Sequence, residues 1–153
     1  MPREILQHPH SALREVCAPV AVFDAALCAL SNEMFLMMYA AKGRGLAAPQ
    51  IGETKRMFVM DATWKEGQPA PQVFVNPDIV AVSDETELDE EGCLSLIGIP
   101  CLVWRPLEVT LRWQDLAGAR HEDRFEGFAA RCVQHERDHL DGILCIDYSE
   151  AAP

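Results

Sequence analysis

The sequence lacks an apolar run of membrane-spanning length, and its first 16 residues, MPREILQHPHSALREV, lack the uninterrupted apolar core of a secretory segment. We therefore expect a cytoplasmic protein that does not bind membranes. Basic residues are also scarce, because 13 Lys and Arg stand against 24 Asp and Glu and leave a net charge of −11. A nucleic-acid surface needs clustered positive charge, so we expect no direct nucleic-acid binding.

Repeats, low-complexity tracts and domain linkers are absent as well, and we predict a single domain over residues 1–153. Helical patterns begin at Asp24 and again at Gly127. The chain between them is rich in strand-like segments, at 55–61, 72–75, 79–82, 107–115 and 119–126. Residues 143–148 (ILCIDY) resemble one last short strand. Because the strands cluster instead of alternating with helices, the pattern predicts an α+β fold and not a parallel α/β fold.

The six cysteines of this chain are expected to be free thiols or metal ligands and not three disulfides. Cys17, Cys28 and Cys145 lie among apolar neighbours, and we interpret them as small buried core residues. Cys93 differs from them because it follows Gly92, which allows the backbone to approach a ligand closely.

The segment FAARCVQHERDHLDGI, at 128–143, carries two histidines four residues apart. On a helix, at about 100° per residue, His135 and His139 lie about 40° apart and one turn separated, so both side chains can reach one metal ion. Glu136 borders the same point without binding it, where it can take a proton from an activated water. Catalytic metal sites usually supply three protein ligands, so one ligand is still missing.

Two cysteines are candidates for the third ligand. Cys93 is the stronger one, because a thiolate is a strong ligand for a divalent transition metal and Gly92 precedes it. Cys132 lies one turn before His135 on the same helix and could share a metal with that residue. It is seven residues from His139, too far along the axis at about 1.5 Å per residue to serve both histidines. We interpret Cys132 as a packing residue beside the site.

Three motifs resemble those of the peptide deformylases, metal hydrolases that remove the formyl group from the N-terminal formyl-methionine of new bacterial proteins. They are GRGLAAPQ at 43–50, EGCLS at 91–95 and QHERDHLDG at 134–142. The similarity extends from about residue 5 to residue 148. It implies small antiparallel sheets around a central metal-binding helix, and it implies hydrolysis of a linear formyl amide with release of formate.

The resemblance also implies roles for individual residues. Cys93, His135 and His139 would bind the metal, with Fe²⁺ the usual ion in the cell and Zn²⁺, Ni²⁺ or Co²⁺ able to replace it. Glu136 would be the general base and acid. The Gln50 side chain and the backbone N–H of Leu94 would hold the formyl oxygen, and Gly45 would offer backbone hydrogen bonds to an extended peptide.

Three features depart from the family pattern, and all of them concern the substrate. Arg44 stands between the glycines of the first motif, and Arg131 lies four residues before His135; family members usually carry aliphatic pocket residues there. Residues 96–100 (LIGIP) replace an aliphatic residue and proline followed by an arginine. A guanidinium left unpaired in an apolar pocket costs several kcal/mol, so both arginines must be solvated, paired with acids or turned toward an anionic substrate.

The substrate interpretation therefore has alternatives. The arginines either reach water and leave the formyl-methionyl peptide as the substrate, or they favour a more polar or acidic N-formyl compound. A catalytically weak paralogue that binds metal or peptide without turnover is a third alternative, against which the intact Gln50 and Glu136 argue. Many bacterial members continue into a further C-terminal helix associated with ribosome docking, whereas this chain ends at Pro153, so ribosome association is not expected.

Overall fold

A computed structural model describes residues 3–149, so the domain boundaries predicted at residues 1 and 153, including the chain end at Pro153, lie outside the described part. The helices are α1 (Ala25–Ala40), α2 (Gly127–Leu140) and α3 (Ile146–Ser149). The strands are β1 (Gly45–Ala47), β2 (Met57–Met60), β3 (Gln72–Val82), β4 (Thr86–Glu91), β5 (Cys101–Pro106), β6 (Glu108–Gln114) and β7 (Arg120–Glu126). All of these strands lie between α1 and α2 in the chain, which confirms the predicted α+β class.

The pairings between these seven strands are all antiparallel, and a single parallel bridge joins Ala18 to Lys55 outside them. Five strands form one sheet in the order β1-β2-β3-β6-β7, which places the short strand β1 at an edge. The strands β4 and β5 form a separate two-stranded sheet. They lie between β3 and β6 in the chain, although β3 and β6 are neighbours in the main sheet. Strand β4 was not predicted, because its sequence TELDEE has no apolar alternation and only Glu91 is buried.

Strand β2, an inner strand of the main sheet, shows which face of the sheet each of the two long helices covers. All four of its residues are buried, and alternate side chains of a strand point to opposite faces. Phe58 and Met60 join the core cluster that contains the apolar side of α2, and Met57 and Val59 join the cluster that contains α1. The sheet is therefore covered by α2 on one face and by α1 on the other, and α2 is held in the middle of the molecule.

The helix α1 begins where the sequence predicts. Asp24 caps it, since its side chain accepts a hydrogen bond from the N–H of Leu27. Leu27, Leu30, Met34 and Met38 are buried at helical spacing. Among the described residues, no helix combines the length and the apolar composition that crossing a membrane requires.

Three sequence predictions were wrong. The predicted break between 72–75 and 79–82 is a register shift within the continuous strand β3, where Asn76 takes a positive φ of 50° and its side-chain amide bonds Val20 and Gln114. The predicted last strand at 143–148 is a turn followed by α3. Cys28 is exposed, whereas Cys17 and Cys145 are buried as predicted. All six thiols are free.

Candidate active site

The helix α2 brings the two predicted histidines together. His135 and His139 are both buried, and their ring centroids lie 5.1 Å apart. Cys93 lies in the turn after β4, with its Sγ 3.5 Å from His139 Nε2. One ligand atom from each of these three residues lies within 4.8 Å of the others. Two imidazoles and one thiolate suit a divalent transition metal, so the predicted donor set fits such an ion.

Cys132 is not part of this donor set. It is buried in the core cluster beside α2, and burial raises the pKa of its thiol well above the usual value. A protonated thiol in such surroundings packs as a small apolar group, because only the thiolate is a metal ligand. The position agrees with the sequence interpretation of Cys132 as a packing residue.

The orientation of His135 is fixed by Glu91, which the sequence analysis did not assign to the site. His135 Nδ1 lies 2.9 Å from Glu91 Oε1. Burial opposes the charge of Glu91, but hydrogen bonds from Arg105 and His135 prevail and bring the pKa of Glu91 down to about 2. An ionised carboxylate only accepts hydrogen bonds, so Nδ1 of His135 carries the proton. Nε2 of His135 then faces the ligand atoms of Cys93 and His139.

The pKa values of the two histidines shift in opposite directions. Burial and then the charge of His135 hold the pKa of His139 well below its usual value, which keeps that ring neutral, as a metal ligand must be. Burial also lowers the pKa of His135, but its hydrogen bonds with Cys93 and Glu91 raise it by more. A cation at His135 Nε2 therefore competes with a proton.

Arg105 connects the two-stranded sheet to α2. Its Nε and Nη2 atoms donate to the two oxygens of Glu91 at 2.7 and 2.9 Å, and its Nη1 donates to Asp138 at 2.8 Å. Tyr148 also donates to Asp138. Arg105 thus pairs with both Glu91 and Asp138.

Glu136 lies beside the donor cluster and is buried at 5 % exposure. Its Oε1 atom is buried and has no hydrogen-bond partner among residues 3–149. Burial is the largest cause that raises the pKa of Glu136 to about 7. Gly45 passes close by, since a Cβ atom built on it would lie 2.6 Å from Glu136 Oε2 and 2.9 Å from Cys132 Sγ. A side chain at position 45 would therefore displace the Glu136 carboxylate or the Cys132 thiol.

Gln50 is oriented by the 3₁₀ turn that carries it, Ala48–Ile51. The N–H of Ala47 donates to Gln50 Oε1 at 2.9 Å, which directs the amide nitrogen toward the donor cluster. That nitrogen donates to Ser95 Oγ at 3.0 Å and lies 3.8 Å from Cys93 Sγ. The carbonyl of Leu94 accepts a hydrogen bond from Gln7, and its side chain covers Gly43. Gln50 and Leu94 thus border the same cavity as Cys93.

An open cavity of about 660 Å³ joins these residues. Gln50, Cys93, His135 and Glu136 line its buried end. Arg44 and Arg131, the two unusual residues of the sequence analysis, also line it.

Comparison with known proteins places the site in a family. The family model described as polypeptide deformylase matches residues 2–152. The peptide deformylase of Phenylobacterium zucineum is 48% identical over 146 residues, which cover 95% of this chain and 86% of that protein. The chain belongs to the polypeptide deformylase family.

Solved deformylases share the fold. The crystal structure of the peptide deformylase from Thermotoga maritima superposes with a TM-score of 0.91 at 38% identity and covers 97% of each chain. The crystal structure of the peptide deformylase from Synechococcus elongatus in complex with actinonin superposes with a TM-score of 0.91 at 35% identity. The match covers 97% of this chain and 79% of the Synechococcus chain. Both similarities confirm the α+β deformylase fold expected from the motifs.

In this deformylase family member, the residues that sequence reasoning missed are Glu91 and Ser95. Glu91 is the first letter of the second motif, but a lone glutamate in an acidic stretch gives no signal of burial. The pattern of β5 holds a usable signal, because Cys101, Val103 and Arg105 occupy alternate positions of a strand and share its buried face. A buried arginine requires a carboxylate partner, which directs attention to Glu91.

Proposed function

We propose that this chain hydrolyses the N-formyl group of formyl-methionyl peptides and releases formate and a free amino terminus. The observation that supports it best is the position of Glu136, which is buried without a partner for Oε1 beside the ligand atoms of Cys93, His135 and His139. The deformylase homologues at more than 45% identity support the same reaction.

Cys93, His135 and His139 would hold one divalent ion, for which Fe²⁺ is the proposed cellular choice and Zn²⁺, Ni²⁺ or Co²⁺ are substitutes. When bound, such an ion polarises a carbonyl oxygen and lowers the pKa of water in the site. The protein supplies the orientation of its ligands, because Glu91 fixes the ring of His135 and Arg105 fixes Glu91.

Glu136 acts on protons in the proposed reaction. Its carboxylate accepts a proton from the water that attacks the formyl carbon and later delivers that proton to the departing amine. Burial of the carboxylate raises its pKa, which favours acceptance of that proton. The C–N bond of the formyl amide breaks, the formyl carbon leaves as formate, and the amine gains the proton.

Gln50 and Leu94 would stabilise the formyl oxygen as it gains negative charge. The Gln50 amide nitrogen is already directed toward Cys93 by Ala47 and Ser95, so little reorganisation is needed. The Leu94 backbone N–H would be the second donor. Removal of one oxyanion donor costs about 3 kcal/mol in other hydrolases, so by analogy Gln50→Ala should reduce turnover strongly.

The peptide itself would lie along β1. This strand is at the edge of the main sheet and borders the cavity through Gly45. An extended peptide can therefore add to it as a further strand, with backbone hydrogen bonds from Gly45.

The test is formate release from formyl-Met-Ala-Ser amide by protein loaded with Ni²⁺, Zn²⁺ or Fe²⁺ under argon. Glu136→Gln should retain the metal, measured by elemental analysis, and lose at least about 100-fold in kcat, the lower range for a general base. Glu122→Gln, which makes the same substitution at an exposed residue of β7, is the control and should retain activity. Unchanged turnover in Glu136→Gln would remove the base assignment, and no turnover by any metal form of the parent would remove the proposed function.

A further inference from the structure

The cavity is lined by charged residues of both signs. Four are basic, namely Lys42, Arg44, Lys65 and Arg131, and three are acidic, namely Glu90, Glu91 and Glu136, although the whole chain has only 13 Lys and Arg against 24 Asp and Glu. The four basic residues do not share one role, because their hydrogen bonds differ.

Arg131 is occupied within the protein. Its Nη1 donates to Glu91 Oε2 at 2.8 Å and to the carbonyl of Val103 at 2.9 Å, and its Nη2 donates to the carbonyl of Glu87 at 2.8 Å. The side chain is only 11% exposed. Arg131 thus binds α2 to β4 and β5, and its charge is matched by the buried Glu91. It has little left to offer an anionic group of the substrate.

Arg44 is different. Its Nη2 donates to Glu66 at 2.8 Å, and its guanidinium carbon lies 4.9 Å from the centre of the Phe128 ring. Nε is buried and has no hydrogen-bond partner in the described part of the chain. The Glu66 side chain is 56% exposed, so water weakens this ion pair. The charge of Arg44 is therefore only partly matched by the protein.

Arg44 lies with two lysines at what we call the cavity mouth, made by Lys42, Arg44, Lys65 and Phe128. Lys42, Lys65 and Phe128 are exposed, in contrast to Gln50 and Glu136 at the buried end. The indole N–H of Trp64 donates to the carbonyl of Gly43 at 2.9 Å, which attaches the turn that carries Lys65 to the segment before β1. The formyl group must reach the buried end, so a peptide passes the cavity mouth with the residues that follow its methionine.

We propose that Arg44, supported by Lys42 and Lys65, makes this enzyme select formyl-methionyl peptides that carry an acidic residue in the two positions after the methionine. The inference rests on the proposed function and adds the substrate class. A side-chain carboxylate at the cavity mouth gains charge-assisted hydrogen bonds from the Arg44 guanidinium, which is planar and has donors to spare.

The experiment compares kcat/KM for formyl-Met-X-Ala amide and formyl-Met-Ala-X amide, where X is Glu, Gln or Lys. Amidated peptides are required, because the free carboxylate of a short peptide would itself bind the cavity mouth. At low salt we expect Glu to exceed Gln by about three- to fivefold in at least one series, the size of one exposed ion pair, with Lys below Gln. The preference should shrink in 0.5 M salt, because mobile ions screen exposed charges.

Variants assign the preference to residues. Arg44→Gln should bring the ratio of kcat/KM for the Glu peptide to kcat/KM for the Gln peptide (the Glu to Gln ratio) to about one. Arg44→Lys should retain part of the preference for the Glu peptide, and Lys65→Gln should lower the ratio by less than Arg44→Gln does. Arg112→Gln is the matched control, since it removes one positive charge from an exposed pair with Glu122 on β6 and β7. Arg112→Gln should leave the ratio unchanged. Thermal unfolding of each variant confirms that the fold is intact.

The outcomes separate the two proposals. Cleavage of the Gln peptides together with a Glu to Gln ratio of one in the parent overturns the inference and leaves the proposed function standing. A ratio that Arg44→Gln does not change, or that Arg112→Gln changes equally, also overturns it. If metal-loaded protein cleaves none of the peptides, the proposed function fails and the inference fails with it.

Discussion

At the buried end of the cavity, Glu91 is held by two guanidiniums and one imidazole, whereas at the cavity mouth Arg44 shares one hydrogen bond with an exposed carboxylate. The first arrangement pairs Glu91 with charged groups of the protein and fixes the ring of His135. The second leaves hydrogen-bonding capacity for a ligand. Two arginines that look alike in the sequence, Arg44 and Arg131, thus serve different purposes because their surroundings differ.

The contrast follows from burial. A buried charge loses its hydration, so Glu91, Arg105 and Arg131 are stable only as a hydrogen-bonded group, and removal of the shared carboxylate takes a partner from both guanidiniums. Solvent and salt compensate a missing partner at the cavity mouth. Substitutions at the buried end should therefore change stability and metal binding, and substitutions at the cavity mouth should change selectivity.

Glu91→Gln is expected to have the largest effect. It leaves Arg105 and Arg131 without their buried counter-charge, and removal of one partner of a buried pair costs about 3 kcal/mol or more in free energy of unfolding. It also weakens the orientation of His135, which should lower metal affinity by about 10- to 100-fold. Urea unfolding and competition with a metal chelator measure the two effects.

The control for this change is Glu122→Gln, which removes an exposed carboxylate from Arg112 and should cost less than about 1 kcal/mol. Equal losses of stability in Glu91→Gln and Glu122→Gln would contradict the distinction between a buried and an exposed charge.

Gly45→Ala should have the next largest effect, a loss of about 100-fold in kcat/KM. A small misplacement of a catalytic group has effects of this order. The added Cβ would lie 2.6 Å from Glu136 Oε2, so the carboxylate must move. Gly92→Ala is the comparison, because Gly92 borders the same cavity with open space at its Cβ position. Formate release measures both, and a Gly45→Ala enzyme as active as Gly92→Ala would show that the close approach has no catalytic importance.

Arg131→Met should lower the free energy of unfolding by about 2 kcal/mol, the order of a hydrogen bond to a charged group. Arg105 still matches Glu91 in this variant, so the loss stays below that of Glu91→Gln. The Glu to Gln peptide ratio should not change. A changed ratio with unchanged stability would mean that Arg131 faces the substrate and that the roles of Arg44 and Arg131 are reversed.

The difference between local and long-range contacts explains which parts of the site can be predicted from the sequence. The spacing of His135 and His139 gives their convergence directly, because helical geometry is local, and the motif resemblance adds Cys93 and Gln50. The partner of Arg131 could not be read in this way. Arg131 and Glu91 lie 40 residues apart and meet only because β4 and β5 fold against α2. Long-range pairs of this kind depend on tertiary packing, which propensity and periodicity do not encode.

The errors in the fold have local causes. Asn76-Pro77 has the composition of a turn, but the side chain of Asn76 replaces the lost ladder bonds by bonding Val20 and Gln114, so β3 continues. The tail at 143–148 reads as a strand because it is short and apolar, and periodicity alone does not separate such a run from a buried helix end. The strand β4 was missed because five of its six residues are exposed and four are acidic, so it has no apolar alternation.

Glu66→Gln should have the smallest effect on stability and gives the sharpest view of the cavity mouth. The pair with Arg44 is exposed, so the free energy of unfolding should change by less than about 1 kcal/mol in urea. The same change removes the only carboxylate bonded to Arg44 among the described residues, so a substrate carboxylate no longer competes for the guanidinium. The Glu to Gln peptide ratio should therefore rise above that of the parent and fall back to about one when Arg44→Gln is added. A ratio that falls in Glu66→Gln alone would mean that Glu66 holds Arg44 in its working position, and the selectivity would then require the pair and not the arginine by itself.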